Sequence, residues 1–248
     1  MLLKNKTAVI TGCNRGIGRS ILQNFAENGA EVFACVRHES AEFTSFIQVL
    51  SAKTGTTIHP IYFDLKNEAE NKLAVATILA FKKKIDVLVN NAGISAGGLF
   101  QMAQMKDLRE VFEINFFAQV QFTQGLSRYM ARSKEGSIIN IGSTAGLIGN
   151  VGTTSYGSSK AALMFVTKTL ASELGSANIR VNAIAPGITK TEMYDQMNEK
   201  ERTRQIEAAA LKRPAESSEI ANVALFLASE LSTYVTGQIL RVDGGMTT

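Results

Sequence analysis

A tyrosine and a lysine four residues apart, Tyr156 and Lys160, stand among small residues in the stretch SYGSSKAAL. Because an α-helix turns once about every 3.6 residues, a helix here places both side chains on one face, about one turn apart. A lysine ammonium lowers the pKa of a nearby phenol, so such a pair suits general acid or base chemistry. On spacing alone, an incidental pair on a surface helix is the commoner arrangement.

Two further polar residues could join this pair. Ser143 stands at the end of the predicted strand that leads into the helix, where strand end and helix start lie close in space. Asn115 interrupts the apolar stripe of a predicted helix at 106–132, and a buried amide needs hydrogen-bond partners. The pattern allows two interpretations of Asn115: support for a kink and a water at the site, or a satisfied core asparagine.

A glycine-rich turn follows the first predicted strand in TGCNRGIGRS, with Gly12, Gly16 and Gly18 spaced G-x-x-x-G-x-G. Glycine lets the backbone approach a ligand closely, and the following helix N-terminus offers N–H groups to phosphate. The spacing is neither that of a P-loop nor G-x-G-x-x-G. The turn, with the intervening Asn14, Arg15 and Ile17, therefore predicts a dinucleotide site, the alternative being a tight turn that binds nothing.

Two arginines bear on which dinucleotide would bind. Arg37 directly follows the second predicted strand, and no carboxylate follows until Glu39. An acidic residue at this position would hold the ribose 2′-hydroxyl of NAD, whereas arginine accommodates the 2′-phosphate of NADP. With Arg15 in the turn as a second guanidinium, the sequence favours NADP(H). The alternative is a pair of solvent-facing arginines.

More polar and small residues follow the third and fourth predicted strands. Asp64, followed by Leu65, could accept a hydrogen bond from an adenine amino group, and Asn91, Ala92 and Gly93 would form a floor beneath the cofactor. Ligands of open α/β sheets bind outside the carboxyl ends of the strands, where all these residues would collect.

Apolar, β-branched runs alternate with helix-length amphipathic segments along the whole chain. The predicted strands are 7–11, 31–36, 57–63, 85–90, 136–142, 180–186 and 238–244; the predicted helices are 16–29, 39–53, 67–83, 106–132, 155–175 and 216–229. This alternation predicts an α/β fold: one Rossmann-type, doubly wound parallel sheet of about seven strands with helices on both faces, forming a single domain over 1–248.

The segment 187–214 has no strand pattern. It predicts one or two surface helices that cover the substrate, the alternative being a plain amphipathic excursion.

Composition narrows the class of protein. The chain has 248 residues, 45% hydrophobic and 19% charged, which is typical of a globular domain. A net charge of +4 is spread without a basic stripe, so we expect no nucleic-acid partner. Two cysteines without metal spacing predict a reducing compartment and no metal. The sequence contains no long apolar segment, so we expect a cytoplasmic protein with no membrane partner.

Taken together, these motifs resemble the short-chain dehydrogenase/reductase family over essentially the full length. The matching elements are T-G-x-x-x-G-x-G (Thr11 to Gly18), N-N-A-G (90–93), Asn115, Ser143, Y-x-x-x-K (156–160), and Pro186-Gly187 with Thr189. The resemblance implies that Tyr156 is the general acid or base and that Lys160 favours tyrosinate and holds the nicotinamide ribose.

The same resemblance assigns roles to the other matching residues. Ser143 would donate to the substrate oxygen, and Asn115 would support a water that passes protons to Lys160. Pro186, Gly187, Ile188 and Thr189 would contact the nicotinamide.

Within the family, IRVNAIAPGITKTEM and SSEIANVALFLASELSTYVTGQILRVDGGM are most similar to the 3-oxoacyl-[acyl-carrier-protein] reductases. That likeness implies NADPH-dependent reduction of a 3-oxoacyl thioester in fatty acid synthesis, by a homotetramer in contact through the long helices. Arg128, Arg132 and Lys134 would receive an acidic carrier protein, although Ser172 stands where this group often has a basic residue.

Two alternatives remain open at this point. One is a dehydrogenase for a sugar, a nucleotide-sugar or another small carbonyl compound or alcohol. The other, more remote, is a non-catalytic dinucleotide-binding protein.

Overall fold

Seven parallel strands form a single sheet in the order β3-β2-β1-β4-β5-β6-β7 in the computed structural model, which describes residues 1–246. The strands are β1 (Thr7–Thr11), β2 (Glu31–Val36), β3 (Ile58–Tyr62), β4 (Val87–Asn90), β5 (Gly136–Ile141), β6 (Ile179–Pro186) and β7 (Ile239–Val242). The order reverses between β1 and β4, which creates a crevice at the carboxyl ends of these strands. The predicted doubly wound sheet is confirmed.

Nine α-helices cover the two faces of the sheet within the described residues. They are α1 (Gly16–Glu27), α2 (Ala41–Thr54), α3 (Glu68–Ala80), α4 (Met105–Phe112), α5 (Ala118–Ser133), α6 (Thr154–Leu174), α7 (Glu192–Asp195), α8 (Glu199–Ala208) and α9 (Ser217–Ala228). One apolar cluster joins α1, α2 and α9 to one face, and a second joins α3, α5 and α6 to the other. Strand residues alternate between the clusters, as Ile10 and Val9 do.

The helix predicted at 106–132 is not continuous. A π-helical turn, Glu113–Phe117, separates α4 from α5 and contains Asn115. A π turn inserts extra backbone into a helix, and here it carries a buried polar side chain where the stripe required an apolar one. The predicted kink therefore exists at Asn115, as a wider turn that the apolar periodicity does not reveal.

The segment 187–214 contains two short helices, α7 and α8, and no strand longer than a bridge between Thr189 and Ala215. Thr191 and Asn198 cap these helices with side-chain oxygens. Among residues 1–246, no helix is both long enough and apolar enough to cross a bilayer.

Candidate active site

Three of the predicted catalytic side chains meet where β5 leads into α6. Lys160 is 3% exposed, and its Nζ donates a 2.7 Å hydrogen bond to the carbonyl oxygen of Ile141, the last residue of β5. The same Nζ lies 5.9 Å from the centroid of the Tyr156 ring. Ser143 hydrogen-bonds to Tyr156 and accepts a 3.1 Å bond from the Ala145 N–H, which fixes its hydroxyl at the start of a 3₁₀ turn.

Burial acts on both titrating groups of this cluster. It lowers the pKa of Lys160 to about 8, because the ammonium is withdrawn from water. Burial also raises the pKa of Tyr156, and the hydrogen bond from Ser143 opposes this increase. The lowered tyrosine pKa expected from Lys160 is therefore absent from the protein by itself, and the positive charge of an oxidised nicotinamide would act in the lowering direction.

Asn115 connects the π turn to two neighbouring segments. Its Nδ2 donates to the Ile94 carbonyl oxygen at 2.9 Å and to Ser159 Oγ at 3.0 Å, while its Oδ1 accepts the Ile94 N–H at 2.8 Å. Ser159 lies next to Lys160 on α6, so the amide holds the loop after β4 against the catalytic helix. In this structure the side chain is satisfied by protein groups, and its expected support of a water relay stays a prediction.

Gly93 lies directly against the cluster. A Cβ there would lie 3.1 Å from Asn115 Oδ1 and 3.4 Å from Lys160 Nζ, closer than most real Cβ contacts to the amide oxygen. The glycine is exposed, and Ala92 before it is half-buried. This small-residue floor next to Lys160 fits a flat ring that must approach the lysine.

The glycine turn after β1 is packed against the turn after β4. Asn91 Nδ2 donates to the carbonyl oxygens of Thr11 and Gly12, at 2.9 and 3.2 Å, and Thr11 Oγ1 accepts the N–H groups of Asn91 and Ala92. A Cβ on Gly18 would stand 2.1 Å from the Gly12 oxygen, so only glycine fits. Asn91 therefore shapes the turn, a role that the sequence did not reveal.

The N-terminus of α1 suits a phosphate. Its N-cap residue, Arg15, makes no side-chain capping bond, and its first turn carries no acidic residue. In contrast, α2 and α3 are capped by Ser40 and Asn67 and carry glutamates in their first turns. Free N–H groups at the positive end of the helix dipole, beside a glycine turn, fit the pyrophosphate of a dinucleotide.

The predicted ribose and adenine contacts lie at neighbouring strand ends. Arg37 is exposed immediately after β2, whereas Arg15 pairs with Glu192 of α7, with Nε 3.3 Å from the carboxylate. Asp64 Oδ1 accepts the Lys66 N–H at 3.1 Å, and Leu65 is buried in the core. These placements keep all four residues at the carboxyl edge of the sheet.

The segment after β6 forms the other wall of the crevice. Gly187 donates its N–H to the Val242 carbonyl oxygen, and a Cβ there would meet Asp243 at 2.7 Å. Thr189 is buried, and its hydroxyl donates to the Gly187 carbonyl oxygen at 3.0 Å. Pro186 and Ile188, on either side of Gly187, are also buried. A cavity of ≈ 340 Å³ lies between the glycine turn and the segment that follows this wall, lined by Gly16, Lys190, Thr191, Glu192, Tyr194 and Asp195.

Two loops form the mouth above Tyr156, and they are joined to each other. The Gly98 N–H donates to the Gly152 carbonyl oxygen at 3.2 Å, and Ser155 Oγ donates to the Ala96 carbonyl oxygen at 2.7 Å. Residues 91–105 and 141–155 contain no acidic, basic or histidine side chain. These two loops therefore offer no charged partner to a carboxylate or a phosphate.

The two cysteines pack in different clusters on opposite faces of the sheet, Cys13 with α1 and Cys35 with α3 and α5. Both thiols are free and buried, and burial raises the pKa of each. Within residues 1–246, no three His, Cys, Asp or Glu side chains are grouped as they would be around a metal ion.

The fold and this site define a class of protein: a dinucleotide-dependent oxidoreductase with a Ser–Tyr–Lys centre. A family model described as enoyl-(acyl carrier protein) reductase matches residues 12–247. The chain belongs to the short-chain dehydrogenase/reductase family. It is accordingly an oxidoreductase that uses a nicotinamide dinucleotide.

Individual relatives span the whole chain. It is 39% identical over 246 residues to the 3-oxoacyl-[acyl-carrier-protein] reductase FabG of Chlamydia trachomatis, covering 99% of this chain and 98% of that protein. The enzyme of the same name from Aquifex aeolicus is 37% identical over 245 residues, covering 98% of each. A 3alpha-hydroxysteroid dehydrogenase of Mediterraneibacter gnavus is 37% identical over 244 residues, also covering 98% of each.

A crystal structure described as a "putative gluconate dehydrogenase" from Agrobacterium tumefaciens superposes with a TM-score of 0.93 at 28% identity. The match covers 98% of this chain and 96% of that one.

Proposed function

We propose that this oxidoreductase uses NADPH to reduce the ketone of a 3-oxoacyl thioester, as a 3-oxoacyl-[acyl-carrier-protein] reductase. The observation that carries the proposal is the Ser143–Tyr156–Lys160 cluster beneath a mouth without ionisable side chains. The reductases named for this reaction among the relatives support it.

The side chains divide the work of carbonyl reduction. Ser143 donates a hydrogen bond to the carbonyl oxygen, which strengthens as negative charge develops there. Tyr156 gives its phenolic proton to that oxygen, and Lys160 stabilises the resulting tyrosinate. When bound, the reduced nicotinamide supplies the hydride that reaches the carbonyl carbon, so the product is a secondary alcohol.

The residues that would hold the dinucleotide are those of the crevice. The glycine turn and the α1 N-terminus would bind the pyrophosphate, Asp64 the adenine, and Gly93 and Lys160 would face the nicotinamide riboside. Pro186, Gly187, Ile188 and Thr189 would line the outer face of the ring. α7 and α8 would cover the substrate, since α7 lies next to Gly16 across the cavity.

The substrate is tested by NADPH oxidation with purified protein. Acetoacetyl thioesters are compared with a panel of keto-sugars, a steroid ketone and simple ketones, and alcohol oxidation is tested with gluconate. Fast turnover of the thioester alone supports the proposal. Activity confined to a sugar, gluconate or the steroid would keep the chemistry and replace the substrate.

We further propose that Arg15 and Arg37 select NADPH through its 2′-phosphate. Arg37→Asp removes a cation and adds a repelling carboxylate, so we expect kcat/KM with NADPH to fall about 10- to 100-fold while that with NADH changes little. Lys53→Asp, which changes an exposed lysine in the last turn of α2 that pairs with Glu27, is the control. Equal losses with both cofactors would contradict the selection.

The surface supports the expected homotetramer. Phe117 and Phe165 are 54% and 71% exposed, on the π turn and on α6. Such rings in contact with water favour burial against another copy of the chain. We expect Phe165→Glu to convert the assembly to a smaller species in light scattering; an unchanged mass would place the contact elsewhere.

Carrier-protein docking is also proposed, with a geometric condition. Arg128, Arg132 and Lys134 are exposed near the end of α5, roughly 20 Å along the helix from Asn115. A carrier docked there must therefore present its thioester on a long flexible arm. Charge reversal at Arg128 and Arg132 should lower kcat/KM for carrier-bound substrate and leave small thioesters unaffected, and equal effects on both would exclude docking here.

A further inference from the structure

Four buried polar side chains form a continuous series of hydrogen bonds that links α5, β4, β5 and α6 directly below the active site. Asn90 on β4 donates to Thr123 Oγ1 of α5 at 2.7 Å and to Asn140 Oδ1 of β5 at 2.8 Å. Asn140 Nδ2 then donates to Thr167 Oγ1 of α6 at 2.8 Å. All four residues are at most 4% exposed, and we call this hydrogen-bonded series the polar bridge.

Packing does not explain these polar groups. Leu88 and Ile138, two residues earlier on the same strands, point into the same apolar cluster. Asparagines at the next positions of that face must find partners for their amides, and Asn90 Oδ1 has none among the described residues. Burying an amide oxygen without a partner costs free energy of folding. We therefore interpret the polar bridge as fixing the relative position of the elements that it joins.

The polar bridge ends at the helix that carries the catalytic pair. Asn140 directly precedes Ile141, whose carbonyl oxygen accepts the hydrogen bond from Lys160 Nζ. Thr167 follows Lys160 on α6 by about two helical turns, and its hydroxyl also donates to Leu163 in the intervening turn. β5 therefore holds α6 at two successive points, one of which is the catalytic lysine itself.

We propose that Asn140 and Thr167 are positioning residues, which fix α6 along β5 so that Lys160 faces Tyr156 and Tyr156 meets Ser143. Neither residue touches substrate or cofactor; both act through the placement of the helix. The inference rests on the proposed function only for its turnover assay.

Thr167→Val tests the link, because it keeps the shape of the side chain and removes the hydroxyl. We expect kcat to fall about tenfold with the KM for NADPH unchanged, since a small displacement of the catalytic pair slows chemistry more than binding. We also expect the acid limb of the pH profile for alcohol oxidation to move upward by roughly half a pKa unit, because Lys160 stabilises tyrosinate less well. Thr167→Ser, which keeps the hydroxyl, should restore both values.

Ser137→Ala is the matched control. Ser137 lies on the same strand, is 2% exposed, and its hydroxyl donates to the Leu227 carbonyl oxygen at 2.8 Å, far from the catalytic cluster. It should lower the melting temperature as Thr167→Val does and leave the pH profile unchanged. If Thr167→Val affects only the melting temperature, or if Ser137→Ala shifts the profile equally, the proposal is overturned. Asn140→Ser breaks the same link from the strand and serves if Thr167→Val does not fold.

A readout without substrate separates this inference from the proposed function. The near-ultraviolet absorbance of tyrosinate is titrated in the complex with oxidised cofactor, and the signal of the Tyr156→Phe protein is subtracted. Even if wild type reduces nothing in the panel, Thr167→Val must raise the pKa of Tyr156 in this titration. An unchanged value would refute the positioning role, whereas an inactive wild type with a raised pKa in the variant would refute only the substrate.

Discussion

Two titrating side chains, Lys160 and Tyr156, lie at the centre of the site. Lys160 is buried and keeps one hydrogen bond to a backbone carbonyl, while Tyr156 is half-buried and held by Ser143. Burial favours the neutral form of both, so the protein keeps Tyr156 ready to donate its proton. This arrangement suits the reducing direction of the reaction.

Tyr156→Phe should abolish ketone reduction and leave NADPH binding within about twofold, because only the proton donor is removed. Turnover and NADPH affinity, the latter from cofactor fluorescence, are the two measurements. Tyr234→Phe removes the same hydroxyl from a fully exposed ring and should change neither. Normal turnover by Tyr156→Phe would dismiss this tyrosine as the acid.

Lys160 should reduce stability at neutral pH. Its folded pKa, about 8, lies below the ordinary value of 10.5, so the unfolded chain binds more protons between these values and stability rises with pH there. Lys160→Met should therefore raise the free energy of unfolding near pH 7 by about 3 kcal/mol, while turnover is lost.

Urea unfolding at two pH values checks this expectation. The advantage of Lys160→Met over wild type should shrink by about 1 kcal/mol between pH 7 and pH 9. A difference that stays constant with pH would mean that the lysine titrates normally.

At the scale of elements, the crevice depends on turns that close around one another. Gly12 and Gly18 approach within one turn, and Asn91 bonds to the same backbone from the end of β4. The π turn performs a similar task for the loop that follows, through Asn115. The strands set the edge of the sheet, and these irregular turns set the shape of the site.

Gly18→Ala should destroy this closure, because its Cβ would stand 2.1 Å from the Gly12 carbonyl oxygen. We expect NADPH affinity to fall at least about 100-fold and the melting temperature to drop, since the turn must open. Gly175→Ala, where a Cβ meets nothing within 4 Å, should bind NADPH normally and be as stable as wild type or slightly more so. Unchanged affinity in Gly18→Ala would show that the turn does not hold the dinucleotide.

At the scale of the whole molecule, an ion-pair cluster and the active site lie at opposite edges of the sheet. The amino edge holds an ion-pair cluster in which Glu135 contacts Lys6 and Lys84, and Asp86 is buried beside them. Hydrogen bonds from Lys6 and then Lys84 lower the pKa of Glu135 to about 2. The active site lies at the opposite edge, so stability and catalysis can be altered separately.

Glu135→Gln should reduce stability without affecting turnover. A carboxylate whose folded pKa is lowered stabilises the fold above its unfolded pKa near 4.5, and the contribution is lost as pH falls towards 2. Because the side chain is 42% exposed, solvent screening limits the loss near pH 7 to about 1 kcal/mol. Chemical unfolding at pH 7 and pH 3 measures it, with Glu68→Gln, which breaks a single exposed ion pair with Lys72, as the control.

A lower kcat in Glu135→Gln would contradict the separation of the two edges. A stability loss as large at pH 3 as at pH 7 would contradict the role of the ion pairs.

The sequence by itself predicted the sheet and most of its helices, and it selected the side chains, Ser143, Tyr156 and Lys160, that the structure brings together. Local patterns carry that information: apolar runs for buried strands, glycines where backbones must approach, and Tyr156 and Lys160 one helical turn apart. The ends of the predicted elements moved by at most three residues. β4, for example, begins at Val87 and not at 85, because the last pairing in a strand depends on its neighbour.

Only the tertiary structure decided how the chemistry is held. In the sequence, Asn115 is a polar residue in an apolar helical stripe. In the structure its amide donates hydrogen bonds to Ile94 and Ser159, which belong to two other segments. Asn91 proved to shape the glycine turn, and Asn140 reaches Thr167 across the gap between strand and helix. These hydrogen bonds join residues that are distant in the chain. A pattern along one sequence does not show which buried polar groups will pair with one another in space.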